Sequence, residues 1–204
     1  MAPAIGRYEY GGGICQVSTT LYNAVLRAEL NVTERSPHSM TVHYVDLSED
    51  AAIAGTYKDF KFVNSTEYPI YIEGYTTSDK KITFNIYGKE TRDKNRTISF
   101  ESQMVSETPA TTILQEDAGQ GIGYKAVSSK GSSGYVAELY KIVKVNGVET
   151  DRIKVNKSTY KGTNRVVTYG TAGDPTLSEN LRAAIAAQDE ALADANIAAA
   201  VPAQ

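Results

Sequence analysis

Apolar residues recur along this chain at two spacings, and the change from one to the other divides it. Val17, Leu21, Ala24, Val25 and Ala28 fall at helical intervals, which predicts a helix from about Gln16 to Glu29 with one apolar face. The run MTVHYV, residues 40–45, is β-branched and aromatic and predicts a strand, with Val42 and Tyr44 on one face and Thr41, His43 and Val45 on the other. Phe60 to Val63 alternates in part, and Tyr68 to Tyr75 and Lys81 to Tyr87 form two β-rich runs joined by TTSDK, which suits a hairpin. GKETRDKNR, residues 88–96, lacks aliphatic residues and predicts a solvated boundary.

From Thr97 to about Gly173 strands are punctuated by glycine, and Asn146-Gly147 supplies a hairpin turn, so a long, narrow sheet with a modest core is expected. The tail is alanine-rich and acidic. It predicts a marginal helix from about Ser178 to Ala195, with Leu181, Ile185 and Leu192 as a thin apolar stripe, either disordered or docked weakly. The chain therefore reads as α+β: a helix packed on a mixed or antiparallel sheet over residues 1–90, an elongated all-β module over 97–173, and a tail over 174–204 with a possible C-terminal helix.

Composition narrows the function classes. A length of 204 residues with 41% hydrophobic content suits two small domains. The 21 basic and 24 acidic residues are mixed along the chain, which leaves no nucleic-acid footprint. One cysteine excludes an internal disulfide framework but not an extracellular location. The sequence holds neither a signal peptide nor an apolar run long enough to span a membrane.

That one cysteine carries the candidate chemistry. Cys15 lies between Gly11, Gly12 and Gly13 and the predicted helix, where unpaired amides and the positive end of the macrodipole favour a thiolate and could hold an oxyanion. Gln16 is a further possible donor. A cysteine nucleophile commonly works with an imidazole that is oriented by a third group. The chain has two histidines; His38, after Pro37 in a loop, is the better base, and His43 reads as an ordinary strand residue. Asp50 or Asp59 could orient it, although each read singly is more readily a solvated turn or strand-end carboxylate. The spacing of Cys15, His38 and His43 matches no standard zinc pattern, so neither metal nor cofactor is expected.

GGGICQVSTTLYNAVLRAEL, then ERSPHS, then Asp50-Ala51, then KDFKFVNSTEYPIYIEGY resembles the VanW family in wording and order across residues 5 to 88. The family includes cysteine L,D-transpeptidases that cross-link peptidoglycan in Gram-positive bacteria. The resemblance implies Cys15 as the family cysteine, His38 as the histidine of its His-Ser pair, and Asp50 and Asp59 as its recurrent aspartates. Ser36 stands where the family usually has a polar ring or amide, and only ten residues precede Gly11, which implies a domain truncated at its N-terminus, with a membrane anchor lying in a longer parent. Residues 97–173, with ETP, YKIVKVNG, STYK and VVTYG, resemble the G-five domain, a surface module associated with N-acetylglucosamine-containing glycans. Tyr124, Tyr135, Tyr140, Tyr160 and Tyr169 are its candidate sugar contacts; a plain spacer is the other reading.

Together these resemblances imply an extracellular, cell-wall-associated protein whose partners are peptidoglycan stem peptides and glycan. The expected activity is acyl transfer through Cys15, of the L,D-transpeptidase type. A non-catalytic wall-binding or adhesion protein, or an accessory factor in vancomycin resistance, stands as the alternative.

Overall fold

A computed structural model describes residues 2–4, 7–9 and 12–200. Gly11, the first residue of the glycine run, lies outside the described residues. In chain order the elements are β1 (Ala2–Ala4), β2 (Arg7–Glu9), α1 (Ile14–Arg27), β3 (Asn31–Glu34), β4 (Lys61–Val63), β5 (Tyr71–Thr76), β6 (Ile82–Tyr87), β7 (Arg96–Thr108), β8 (Thr112–Gly121), β9 (Lys125–Ser132), β10 (Gly134–Val145), β11 (Val148–Tyr160), β12 (Thr163–Ala172), α2 (Pro175–Ala186) and α3 (Glu190–Ala200). They fall into two compact units, one of Met1–Ser106 with Tyr135–Tyr160, the other of Glu107–Gly134 with Lys161–Gln204.

In the first unit α1 begins two residues earlier than its periodicity predicts, and its buried face is turned. Ser18, Thr19, Tyr22, Val25 and Leu26 face inward, whereas Val17 is exposed. The reason is polar: the Ser18 and Thr19 hydroxyls donate to the Ala51 carbonyl at 2.6 and 3.2 Å, so hydrogen bonding replaces apolar contact at the start of the helix. Tyr22 and Leu26 then pack with Ala51 and Leu139, flanked by Val32, Phe60, Phe100 and Val155.

The sheet expected beside this helix is instead separate two-stranded antiparallel ribbons, β3–β4 and β5–β6, with β1–β2 a third. The TTSDK hairpin forms, Thr76 pairing Ile82 with Lys80 at a φ of 65°. MTVHYV is not a strand: between β3 and β4 regular pairing is confined to the Ala54–Lys58 bridge. The backbone of this long connection is held by α1 and by side chains, which leaves its strand-like residues no ladder to join.

The expected long sheet is two three-stranded sheets. In the first unit β10 lies between β11 and β7, and Asn146 and Gly147, at φ 51° and 82°, make the predicted turn that pairs Val145 with Val148. In the second unit β12 lies between β8, parallel to it, and β9, antiparallel. The tail forms two helices on this sheet rather than one marginal helix. Asp174 caps α2 by accepting from the Thr176 and Leu177 amides at 3.0 Å, and Gln188, at φ 56°, separates α2 from α3. Leu181, Ala184, Ile185 and Ala193 bury against Leu114, Val167 and Tyr169, so Leu181 and Ile185 of the stripe close a core, whereas Leu192 is exposed and Ala193 takes the buried place.

The charged run at residues 88–96 is not wholly solvated. Just past α1, at a φ of 56°, Glu29 accepts from both Arg96 guanidinium nitrogens at 2.5 and 2.8 Å and from Lys141 at 3.0 Å, tying β7 and β10 to the helix end. The Arg96 hydrogen bonds, offset by burial and helped by Lys141, hold the Glu29 carboxyl down at about 2. Because that value is depressed, its contribution of at most about 3 kcal/mol is fully present above the ordinary glutamate range and is lost as pH falls through about 2. Chemical denaturation of the wild type and Glu29→Gln between pH 7 and 2 should show the variant less stable at pH 7, with the gap closing as pH approaches 2.

Candidate functional site

Gly13 precedes α1 in a left-handed conformation, φ 89°, and its carbonyl accepts from the Gln16 and Val17 amides at 3.0 and 3.1 Å. A side chain at Gly13 would meet no neighbour, so the position demands its backbone angle rather than space. Cys15 is thus the second residue of the helix, partly buried, and of the first-turn amides those of Ile14 and Cys15 are not the ones taken up by the Gly13 carbonyl. Its thiol donates to the Ile53 carbonyl at 3.5 Å. The Gln16 amide is already committed to Gly13, and its side chain is exposed to solvent.

One turn into the helix, Ser18 and Thr19 grip Ala51; the Ala51 amide returns a hydrogen bond to the Thr19 hydroxyl at 3.0 Å. This fixes the neighbouring Asp50, whose side chain is 1% exposed. Its Oδ2 accepts from the His38 backbone amide at 2.7 Å and lies 2.6 Å from His38 Nδ1. Its Oδ1 accepts from Arg35 Nη2 at 2.8 Å and from the Tyr160 hydroxyl at 2.5 Å. Burial pushes the Asp50 carboxyl up, but the His38 ring and amide, the Tyr160 hydroxyl and the Arg35 charge outweigh it and hold Asp50 below the usual carboxylate range. An ionised carboxylate only accepts, so the proton of this contact sits on His38 Nδ1, and in the neutral ring Nε2 is the nitrogen left to accept.

The support behind this pair is dense. Arg35, 6% exposed, also donates to the Asp50 and Ser48 carbonyls at 2.6 and 3.2 Å and to the Ser158 hydroxyl at 2.7 Å. Ser48, at φ 69°, donates its amide to Tyr160 and its hydroxyl to the Ala137 carbonyl. Asn156 donates to the Tyr22 hydroxyl and the Ser48 carbonyl. Among the described residues, every buried side-chain nitrogen and oxygen has a hydrogen-bond partner.

Of the residues proposed from sequence, the fold brings His38 and Asp50 into direct contact. Cys15 joins the same wall through α1 and the Asp50–Ile53 backbone, its own hydrogen bond going to Ile53 rather than to the imidazole. Asp59 stands apart, 47% exposed, accepting from the Phe60 amide and facing Lys61 at 3.5 Å. His43 is exposed in the irregular connection.

Tyr44 was not foreseen. Its ring stands edge-on to His38, interplanar angle 86°, with its hydroxyl 3.5 Å from Nε2, and burial, partly countered by the Thr19 hydroxyl, raises its proton affinity. No spacing rule reveals the contact, because it is made from a loop. Among the candidate sugar contacts, Tyr160 and Tyr169 are buried and unable to stack on a sugar, whereas Tyr124 is exposed. Exposed tyrosines also occur in the first unit, where Tyr71 and Tyr87 stack on β5–β6 with centroids 6.1 Å apart.

The described residues contain no cluster of His, Cys, Asp or Glu placed to hold a metal, and no helix long and apolar enough to cross a membrane.

Residues 5–87 match the family described as VanW like protein, and residues 100–172 match the G5 domain, the G-five module. A relative is the uncharacterized protein YoaR of Bacillus subtilis (strain 168), 48% identical over 62 residues, or 30% of this chain and 20% of that protein. The matched stretch thus spans about a fifth of the relative's length. The structure of the IgA1 protease G5 domain matches 41% of this chain and 100% of its own at 24% identity and a TM-score of 0.30. HP0197-G5 matches 37% of this chain and 97% of its own at 20% identity and a TM-score of 0.24. The two domains together point to a cell-wall-associated protein.

Replacing Asp50 by Ala leaves the buried Arg35 charge and the Tyr160 hydroxyl without their acceptor and should cost about 3–5 kcal/mol. Asp59→Ala should cost about 1 kcal/mol or less. Urea midpoints at an unchanged slope measure both.

Proposed function

We propose that this chain, which carries a VanW-like domain followed by a G5 domain, is a cell-wall acyl transferase that acts on peptidoglycan stem peptides through Cys15. The observation that carries this reading is the buried Asp50 carboxylate holding the His38 ring by Nδ1, beside the helix start that bears Cys15. In this reading Asp59 and Gln16 take no part in the chemistry.

The thiol proton passes to His38 Nε2, and the sulfur attacks the carbonyl between the third and fourth stem residues. The Ile14 and Cys15 amides at the start of α1, which the Gly13 carbonyl does not engage, stabilise the tetrahedral oxyanion. Collapse breaks the carbon–nitrogen bond, His38 returns the proton to the departing D-residue amine, and a thioester remains on Cys15. An amine of a neighbouring stem then gives its proton to His38 as it attacks the thioester, forming a new amide; the proton returns to the thiolate. Asp50 stays ionised throughout and stabilises the imidazolium. The G5 segment keeps the protein near glycan strands and raises the local stem concentration without adding chemistry.

The hydrogen bond from the Cys15 thiol to Ile53 favours a second reading, a non-catalytic wall-binding protein. Incubation of the protein with stem peptides separates the two. Wild type should form cross-linked dimers and release the terminal residue; Cys15→Ala should form none, and His38→Ala should be slower by about a hundredfold or more. Equal yields from wild type and Cys15→Ala contradict the transferase reading. Retention on purified sacculi should fall several-fold in Tyr124→Ala if the G5 segment holds glycan through its exposed ring.

A further inference from the structure

The residues that hold Asp50 do not all come from the segment that contains Cys15 and His38. Tyr160, the last residue of β11, lies within the stretch matched by the G5 domain, yet its ring is buried in the first unit, 3% exposed. Its hydroxyl accepts from the Ser48 amide at 2.7 Å and donates to Asp50 Oδ1 at 2.5 Å, so both its polar valences are spent on the loop that carries the dyad. Ser158, on the same strand, takes a hydrogen bond from Arg35 at 2.7 Å. Asn156 binds the Ser48 carbonyl at 3.1 Å, and Ala137 of β10 accepts from the Ser48 hydroxyl at 3.0 Å.

We infer that Tyr160 is a positioning residue for His38: it fixes the rotamer of Asp50, and the G5-matched ribbon β10–β11 thereby completes the site of the VanW-like domain. The inference rests on the acyl-transfer reading for its catalytic consequence, but not for its structural one.

The geometry gives the reason. Asp50 has two oxygens, and Oδ2 serves only His38, through both its amide and its ring. Oδ1 is anchored on the opposite side by Arg35 and Tyr160. Arg35 alone constrains the carboxylate through a side chain that is itself shared among Asp50, Ser48 and Ser158. The phenol adds a second, independently mounted donor from a paired strand, and two anchors fix the plane in which Oδ2 meets Nδ1. Removing the hydroxyl frees the carboxylate to rotate and leaves the Ser48 amide unpaired. The titratable groups facing the pair are Arg35 and Tyr160 at Asp50 and Tyr44 at His38.

Tyr160→Phe keeps the ring and deletes the hydroxyl. Leu139→Ala, which opens the nearby core without touching the pair, serves as the control for lost stability. Imidazole nitrogen resonances of the whole protein report the His38 tautomer and need no activity. They should show a proton held on Nδ1 in wild type and in Leu139→Ala, and a mixture of tautomers in Tyr160→Phe. With stem peptides, Tyr160→Phe should lower kcat about tenfold with KM within twofold, whereas Leu139→Ala should lower Tm and keep kcat. An unchanged His38 tautomer in Tyr160→Phe overturns the inference. A changed tautomer in a protein whose wild type makes no cross-links upholds it and removes the transferase reading alone.

Discussion

A single buried carboxylate organises the first unit. Asp50 accepts from the His38 amide and lies against its ring, while Arg35 and Tyr160 donate to its other oxygen; these donors come from the loop, the residue just past β3 and the end of β11. A charge so enclosed is tolerated only when its donors are in place, so the elements that supply them are constrained together. The irregular connection between β3 and β4 is ordered by this demand. Its backbone finds partners in Ser18, Thr19 and Arg35 rather than in a neighbouring strand.

The same demand explains the unusual start of α1. An apolar face continuing to Val17 would pack without specifying where the loop sits. Ser18 and Thr19 give up that contact and fix Ala51 by three hydrogen bonds, and with it Asp50, one turn beyond Cys15. Glu29 works in the same way at the far end of the helix, gathering Arg96 and Lys141. Thus the two ends of α1 are tied by polar contacts and its middle by Tyr22, Val25 and Leu26.

Much of this was legible in the sequence where a residue acts locally. The glycine before a helix, the Asn146-Gly147 turn and the β5–β6 hairpin follow from backbone preferences that read out over a few positions. The tail was half legible: Leu181 and Ile185 give the stripe, but the sheet that receives it, formed by β8, β9 and β12, is assembled from distant segments. MTVHYV has strand composition and no strand partner, so propensity failed where tertiary hydrogen bonding decided. Asp50 and Asp59 are indistinguishable by pattern. What separates them is Tyr160, 110 positions from Asp50, which no local rule associates with it. Tyr44 escaped for the same reason, because its contact with His38 depends on where a loop returns.

The central claim is that this scaffold serves a thiol that carries an acyl group. Intact-mass analysis of the protein after brief exposure to a tetrapeptide stem, with no acceptor amine present, tests it most directly. The account predicts an added mass equal to the stem's first three residues as an acyl group, located on Cys15 and removed by hydroxylamine. A stem that binds but leaves the protein's mass unchanged, or an adduct on any other residue, would contradict it.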